Sequence, residues 1–253
     1  MQRVFDAHLH VVDHRFPLTD NDGFRPVEFR VADYHRSVAD LAEAGFVVVG
    51  GAVVSGSFQG FDQTYLRDGL RRFGPGFVGV TQVPADVTDT ELGDLAADGV
   101  RGIRFNLRRG GSAGREELET LARRAFDVAG LHAELYVDSR ELSGLAPVLR
   151  RLPAVSIDHL GLSDAGLDDL LRLVEDGVRV KATGFGRVDL DVTATVRAIL
   201  AVDPGALLAG TDLPSTRARR PFRAADLQLL ADVADEHRAA VLHDNAAAFY
   251  RVG

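Results

Sequence analysis

The run Phe46-Val47-Val48-Val49-Gly50-Gly51-Ala52-Val53-Val54 carries apolar or small residues on both faces of an extended strand. A strand with one wet face alternates polar and apolar residues. One without alternation reads as buried on both sides, the habit of parallel sheets covered by helices. The stretch before it, 31–44, has a different period. Val31, Tyr34, Val38 and Leu41 recur three or four residues apart, as on one face of a helix. Gly45 stands between the two, where a helix would stop. The same alternation extends outward in both directions. Strands are expected at 3–8, 46–54, 77–82, 100–105, 132–137, 155–159, 178–182 and 207–211, and helical spacing recurs at 118–129, 167–174, 192–200 and 224–237. Asp33, Ser163 and Asp191 suit helix starts, and Gly99, Gly130 and Gly177 suit helix ends. Eight β/α units in 253 residues predict a single-domain, slightly distorted TIM-type (β/α)8 barrel over residues 1–253. A doubly wound open sheet uses the same alternation, but no GxGxxG follows the first strand, and Gly184-Phe185-Gly186 is only a fragment of that motif. The loosest stretch, Arg108-Arg109-Gly110-Gly111-Ser112-Ala113-Gly114, is expected to be a loop after the fourth strand.

Composition narrows the function classes. The chain is 46% hydrophobic with a net charge of −8, which argues against general nucleic-acid binding, since phosphate neutralisation needs clustered positive charge. The absence of cysteine excludes disulfides, thiolate metal sites and a thiol nucleophile. No apolar run approaches the ~18 residues of a membrane span, and Met1-Gln2-Arg3-Val4-Phe5-Asp6 has no apolar signal-peptide core, so a cytoplasmic setting is expected. Lys181 is the only lysine, so almost all positive charge is arginine.

In a barrel, chemistry gathers where strands end at their C-terminal side. The first strand ends in Asp6-Ala7-His8-Leu9-His10, with two imidazoles spaced to face the same way and share a metal ion or a substrate oxygen; two ordinary loop histidines are the alternative. The sixth ends in Asp158-His159, where His159 could equally be a hydrogen-bonded core-edge residue. The eighth ends in Thr211-Asp212-Leu213-Pro214, placing Asp212 as a general base or as a turn residue. Arg104 closes an apolar strand and would be costly there without a partner, whereas Arg109 could be a solvated loop charge. Arg187 follows the seventh strand, and a guanidinium grips carboxylates through paired hydrogen bonds. Ser55 and Ser57 end the second strand as substrate contacts or turn serines, and Tyr136 reads as a carboxylate donor or a half-buried strand residue. His132, at the start of its strand, reads as structural, and Lys181 as a residue for a buried ion pair.

Together these elements resemble the amidohydrolase superfamily, in its amidohydrolase-2 branch of 2-pyrone-4,6-dicarboxylate hydrolases and related lactonases. The resemblance covers nearly the whole chain, through DAHLHVVD (6–13), RFPLTDNDGF (15–24), FQGFDQTYLRDGL (58–70), GVRGIRFNL (99–107), LYVD (135–138), SIDHLG (156–161), VKATGFGR (180–187), GTDLP (210–214) and DNAAAFY (244–250). It implies a hydrolase opening a lactone or similar cyclic ester of a small, anionic, carboxylated substrate. Asp212 would activate water and His8, His10 and His159 would polarise the carbonyl. Arg104, Arg187, Tyr136, Ser55 and Arg109 would contact substrate. It also implies either no required cofactor or one divalent metal such as zinc, held by His8, His10, Asp212 and His159. Tyr136 stands where metal-dependent relatives usually carry a strand-five histidine, which argues against a binuclear site. A metal-dependent decarboxylase of the same superfamily and a catalytically degenerate binding barrel are the alternatives. The partners expected are a small anionic molecule and neither nucleic acid nor membrane, with a homo-oligomer or a monomer both compatible with the sequence.

Overall fold

The computed structural model describes residues 1–252. Eight strands, β1 (Gln2–Leu9), β2 (Phe46–Val54), β3 (Phe77–Thr81), β4 (Val100–Phe105), β5 (His132–Leu135), β6 (Val155–Ile157), β7 (Arg179–Ala182) and β8 (Leu207–Ala209), lie side by side in chain order, each parallel to the next. The helices α1 (Val31–Ala39), α2 (Thr64–Phe73), α3 (Asp89–Ala97), α4 (Leu118–Ala129), α5 (Leu142–Leu149), α6 (Leu167–Glu175), α7 (Val192–Val202), α8 (Ala224–Ala234) and α9 (Asn245–Tyr250) complete the alternation of a TIM-type (β/α)8 barrel. No helix among the described residues is long and apolar enough to cross a membrane.

Several expected boundaries move. β5, β6 and β8 stop before Tyr136, Asp158 and Gly210, because the residues beyond turn away from the ladder to form the mouth. The first helix ends at Ala39. Asp33 is not its cap but its third residue, where the carboxylate accepts from the Arg30 backbone N–H at 2.7 Å. Ser163 is not a cap either, and hydrogen-bonds Asp138 and Ser139 instead. Asp191 does cap α7, accepting from the Ala194 N–H at 2.9 Å. Helices α2, α3 and α5 are additional to those expected; α5 (LSGLAPVL) carries Gly144 and Pro147, which read as helix breakers. Gly45, Gly99, Gly130 and Gly177 follow their helices with positive φ, the conformation a side chain would oppose.

The barrel interior divides by chemistry. Phe5, Ala7, Ala52, Val54, Val78, Val80 and Leu208 fill one half, contributed by β1, β2, β3 and β8, and Tyr250 of α9 plugs it from below, stacked on Phe5. The other half is ionic. β4, β5 and β7 send in Arg104, Glu134 and Lys181, and Asp158 joins them from the end of β6. Around the outside, helix stripes such as Leu118, Leu121 and Ala125 seal the strands in the main core.

β8 and β1 form no ladder of their own. A side chain closes that seam: Asp6 accepts from the Thr211 N–H (2.8 Å) and hydroxyl (2.7 Å) and from the Tyr34 hydroxyl (2.9 Å), while the Asp212 N–H donates to the His8 carbonyl at 2.7 Å. Gly210 permits the approach, since a Cβ there would lie 2.8 Å from the Asp6 carboxylate. Burial pushes the Asp6 carboxyl up to about 6, although its hydrogen bonds pull the other way. The folded state therefore takes up this proton at higher pH than the unfolded chain, and the contribution of Asp6 to stability falls as pH rises from ~4 through about 6. A shift of that size corresponds to about 3 kcal/mol. Urea unfolding of the wild type and Asp6→Asn should show their stability difference moving by that order in favour of the variant between pH 4 and pH 7. A pH-independent difference would refute the raised value.

Candidate active site

β1 ends on a bulge. Between Asp6 and Leu9 it carries one residue more than β2 opposite, and such an insertion bends a strand and re-aims its side chains. His8 and His10 converge at the mouth with ring centroids 5.0 Å apart, and His159 packs 4.7 Å from His8. Asp212 arrives from β8 and His159 from β6, both with positive φ (61° and 51°). Strained backbone of this kind persists where surrounding structure holds it, and it clusters at functional sites.

The four side chains form one buried constellation. Asp212 Oδ1 lies 3.7 Å from His10 Nε2 and 3.9 Å from both His8 Nε2 and His159 Nε2, too far for direct hydrogen bonds. Asp212 Oδ1 and His8 Nε2 have no hydrogen-bond partner. The second Asp212 oxygen is taken by Arg187, whose Nε donates at 2.9 Å and whose Nη2 also reaches it. Burial alone would raise the Asp212 carboxyl. Arg187 and then His159 outweigh it and hold the group well below the usual carboxylate range, so it is ionised at neutral pH. Burial drives His159 down to about 3 and His8 well below its ordinary value, so both rings are neutral.

Fixed partners orient each ring. His10 Nδ1 contacts the Val54 carbonyl at 2.7 Å. A carbonyl only accepts, so Nδ1 carries a proton and donates it, while Nε2 faces Asp212. His159 Nδ1 is 2.7 Å from the Thr183 hydroxyl. His8 Nδ1 sits above the ionic half of the barrel, 3.2 Å from Asp158 and 3.4 Å from Lys181 Nζ. Below it Lys181 pairs with Glu134, and Arg104 donates to Asp158 at 2.6 Å. Arg104, Lys181 and Arg187 thus balance Glu134, Asp158 and Asp212.

Above this floor lies a narrow cleft open to solvent, lined by His10, Ser57, Arg104, Asn106, Arg109, Tyr136, His159, Arg187 and Arg217 among others. Of the residues expected there, Ser55 does not reach it: its hydroxyl is fully buried against Tyr65 (2.6 Å) and Thr81 (3.1 Å), and Ser57 takes the position at the wall. Arg104 borders the cleft with its Nη groups already donating, one to Asp158 and one to the Ser55 carbonyl. Tyr136 stands edge-on to His159 (5.4 Å) and beneath the Arg104 guanidinium (5.3 Å). His132 packs at the barrel floor against Phe249 and Tyr250, away from the mouth, and Lys181 points inward to its ion pair. Sequence reasoning missed Glu134, Asp158, Thr183 and Arg217. A charge flanked by Ala133 and Leu135 inside a buried strand was the available signal for Glu134.

A family model described as an amidohydrolase matches residues 5–252. Of the curated relatives, a 4-sulfomuconolactone hydrolase from Rhizobium radiobacter is 27% identical over 98% of this chain and 90% of its own length. A 2-pyrone-4,6-dicarboxylate hydrolase from Comamonas testosteroni is 30% identical over 63% of this chain and 52% of its own length. Of the solved structures, an Agrobacterium tumefaciens protein superposes with a TM-score of 0.85 at 20% identity, covering 100% of this chain and 97% of that one. A putative 2-pyrone-4,6-dicarboxylic acid hydrolase from Pseudomonas putida gives 0.81 at 24% identity, covering 100% and 98%. At those identities the structural likeness speaks for the barrel alone. The family match, spanning almost every residue and including each side chain of the constellation, shows that this chain belongs to the amidohydrolase family of hydrolases.

Proposed function

We propose that the protein opens the ring of a small lactone bearing an anionic substituent, with Asp212 as general base. One observation carries the reading: His10 Nε2 and Asp212 Oδ1, which has no hydrogen-bond partner, face each other across 3.7 Å in a buried site. That pair suits a water molecule, which would donate one O–H to Asp212 and keep an oxygen lone pair for the substrate. The water oxygen attacks the lactone carbonyl as Asp212 takes its proton. With the Thr183 hydroxyl donating to His159 Nδ1, His159 Nε2–H can donate to the carbonyl oxygen and steady the oxyanion. The ring C–O bond then breaks, and Asp212 returns the proton to the leaving oxygen. The net change is addition of one water, giving a hydroxy acid whose new carboxyl group ionises and releases one proton to solvent. Arg187 positions Asp212, and the cationic cleft wall favours an anionic substrate. The curated relatives act on lactones by name, which supports the reaction class.

The same buried groups also fit a metal. His8, His10 and Asp212 each offer one ligand atom, all within 4.8 Å of one another, a nitrogen and carboxylate set suited to zinc. A bound divalent ion would supply Lewis-acid polarisation of the carbonyl. Charge opposes it: three buried cations already match three buried carboxylates, and Arg187 holds one Asp212 oxygen. We therefore expect lactone hydrolysis to survive dialysis against chelator, with elemental analysis confirming substoichiometric metal. Activity lost with the metal and restored by zinc would favour the metal reading. No hydrolysis across a panel of pyrone, muconolactone and sugar lactones would remove the lactone assignment itself.

A further inference from the structure

Arg217 has no place in the chemistry above, yet it lines the cleft. It sits in the loop after β8, half-buried, with a left-handed backbone (φ 59°). Its guanidinium lies 3.9 Å from the centroid of the Phe24 ring, a stacked arrangement that leaves the in-plane N–H groups available. One of them donates to the Asn21 carbonyl at 2.7 Å. No carboxylate lies within ion-pairing distance of it among the described residues, in contrast to Arg104 and Arg187 in the same cleft.

The second unpaired cation of the cleft is Arg109. Arg109 and Arg217 line the same cleft, where the positive charge of Arg109 acts on Arg217 ahead of the opposing Asp22 carboxylate. Like charges brought together cost free energy unless an anion comes between them. Asn21 holds them in register: its Nδ2 donates to the Arg109 carbonyl at 3.0 Å, its Oδ1 accepts from Ser57 at 2.7 Å, and its own carbonyl takes Arg217. Four separate loops, after β1, β2, β4 and β8, are thereby tied into one rim.

We infer that Arg217, paired with Arg109 and stacked on Phe24, is a specificity-determining residue that binds a second anionic group of the substrate, a carboxylate or sulfonate remote from the bond cleaved. The inference rests on the proposed lactone reading for what the substrate is, but not for its test, which needs no turnover. An anion between the two guanidiniums would receive charge-assisted N–H···O bonds from both, while the scissile carbonyl lies over the histidines.

The test is calorimetric binding of two inert probes, citrate with several carboxylates and benzoate with one. Arg217→Met should weaken citrate binding at least tenfold and leave benzoate binding within a factor of about two. Arg109→Met should behave alike, Arg217→Lys should recover part of the loss, and Arg219→Met, an exposed neighbour, should bind both probes as the wild type does. Unchanged citrate affinity in Arg217→Met, or an equal loss for both probes, overturns the inference. A lactone panel without turnover would sink the proposed function and leave this result standing.

Discussion

Asp212→Asn is expected to lower kcat by about 10^3-fold or more while the affinity for a substrate-like anion stays within a few-fold of wild type. The substitution keeps the shape and removes the proton acceptor. With its amide oxygen toward Arg187, the asparagine NH2 points at His10 Nε2, placing a donor where the lone pairs of Oδ1 now face three imidazoles. Water loses its base, and binding by the cleft wall is untouched. The exchange leaves Arg187 without its carboxylate, so a lower melting temperature is expected as well; circular dichroism and a direct binding titration separate loss of chemistry from loss of fold. Turnover within tenfold of wild type in a folded Asp212→Asn protein would exclude Asp212 as the base.

The second large effect lies under the site. Lys181 and Glu134 are both fully buried and paired, with Arg104, Asp158 and His8 close by. Removing one member of a buried pair strands the other in a medium that cannot solvate it, at a cost of about 3–5 kcal/mol. Lys181→Met and Glu134→Gln should each destabilise by that order in urea unfolding. The double variant should lose much less stability than the sum of the single losses, because neither charge is left alone. Additive losses, or single losses below about 1 kcal/mol, would mean that the pair contributes little. Lys181→Met should also reduce activity, since Lys181 Nζ lies 3.4 Å from His8 Nδ1 and helps to set that ring.

Much of this architecture was legible in residue order. The eight strands were readable because apolar runs such as Phe46–Val54 have no competing period, although only Gly50–Val54 of that run is buried throughout and Val49 is exposed. His8, His10, His159 and Asp212 were nameable because each ends a strand, and strand ends share one rim; the structure brings all four together. What escaped depends on distances that sequence does not encode. Asp6 closes the seam with Thr211, 205 positions away, and nothing local to either residue announces the pairing. Ser55 and Ser57 are equivalent on paper, and only the turn at Gly56 decides which one meets the cleft. Helix α5 hid because Gly144 and Pro147 read as helix breakers, although Leu142, Leu145, Ala146 and Leu149 keep helical spacing. Arg217 hid because a loop has no period at all.

The burial of Lys181 reaches beyond the ion pair it makes. As the sole lysine, with a side chain of 0% exposure, it leaves the folded molecule without an accessible side-chain amine. An amine-specific acylating reagent can modify that side chain only when the barrel opens. The rate at which mass spectrometry finds Lys181 labelled would therefore serve as a clock for core opening, with the chromophore-free chemistry of one native atom replacing an engineered probe.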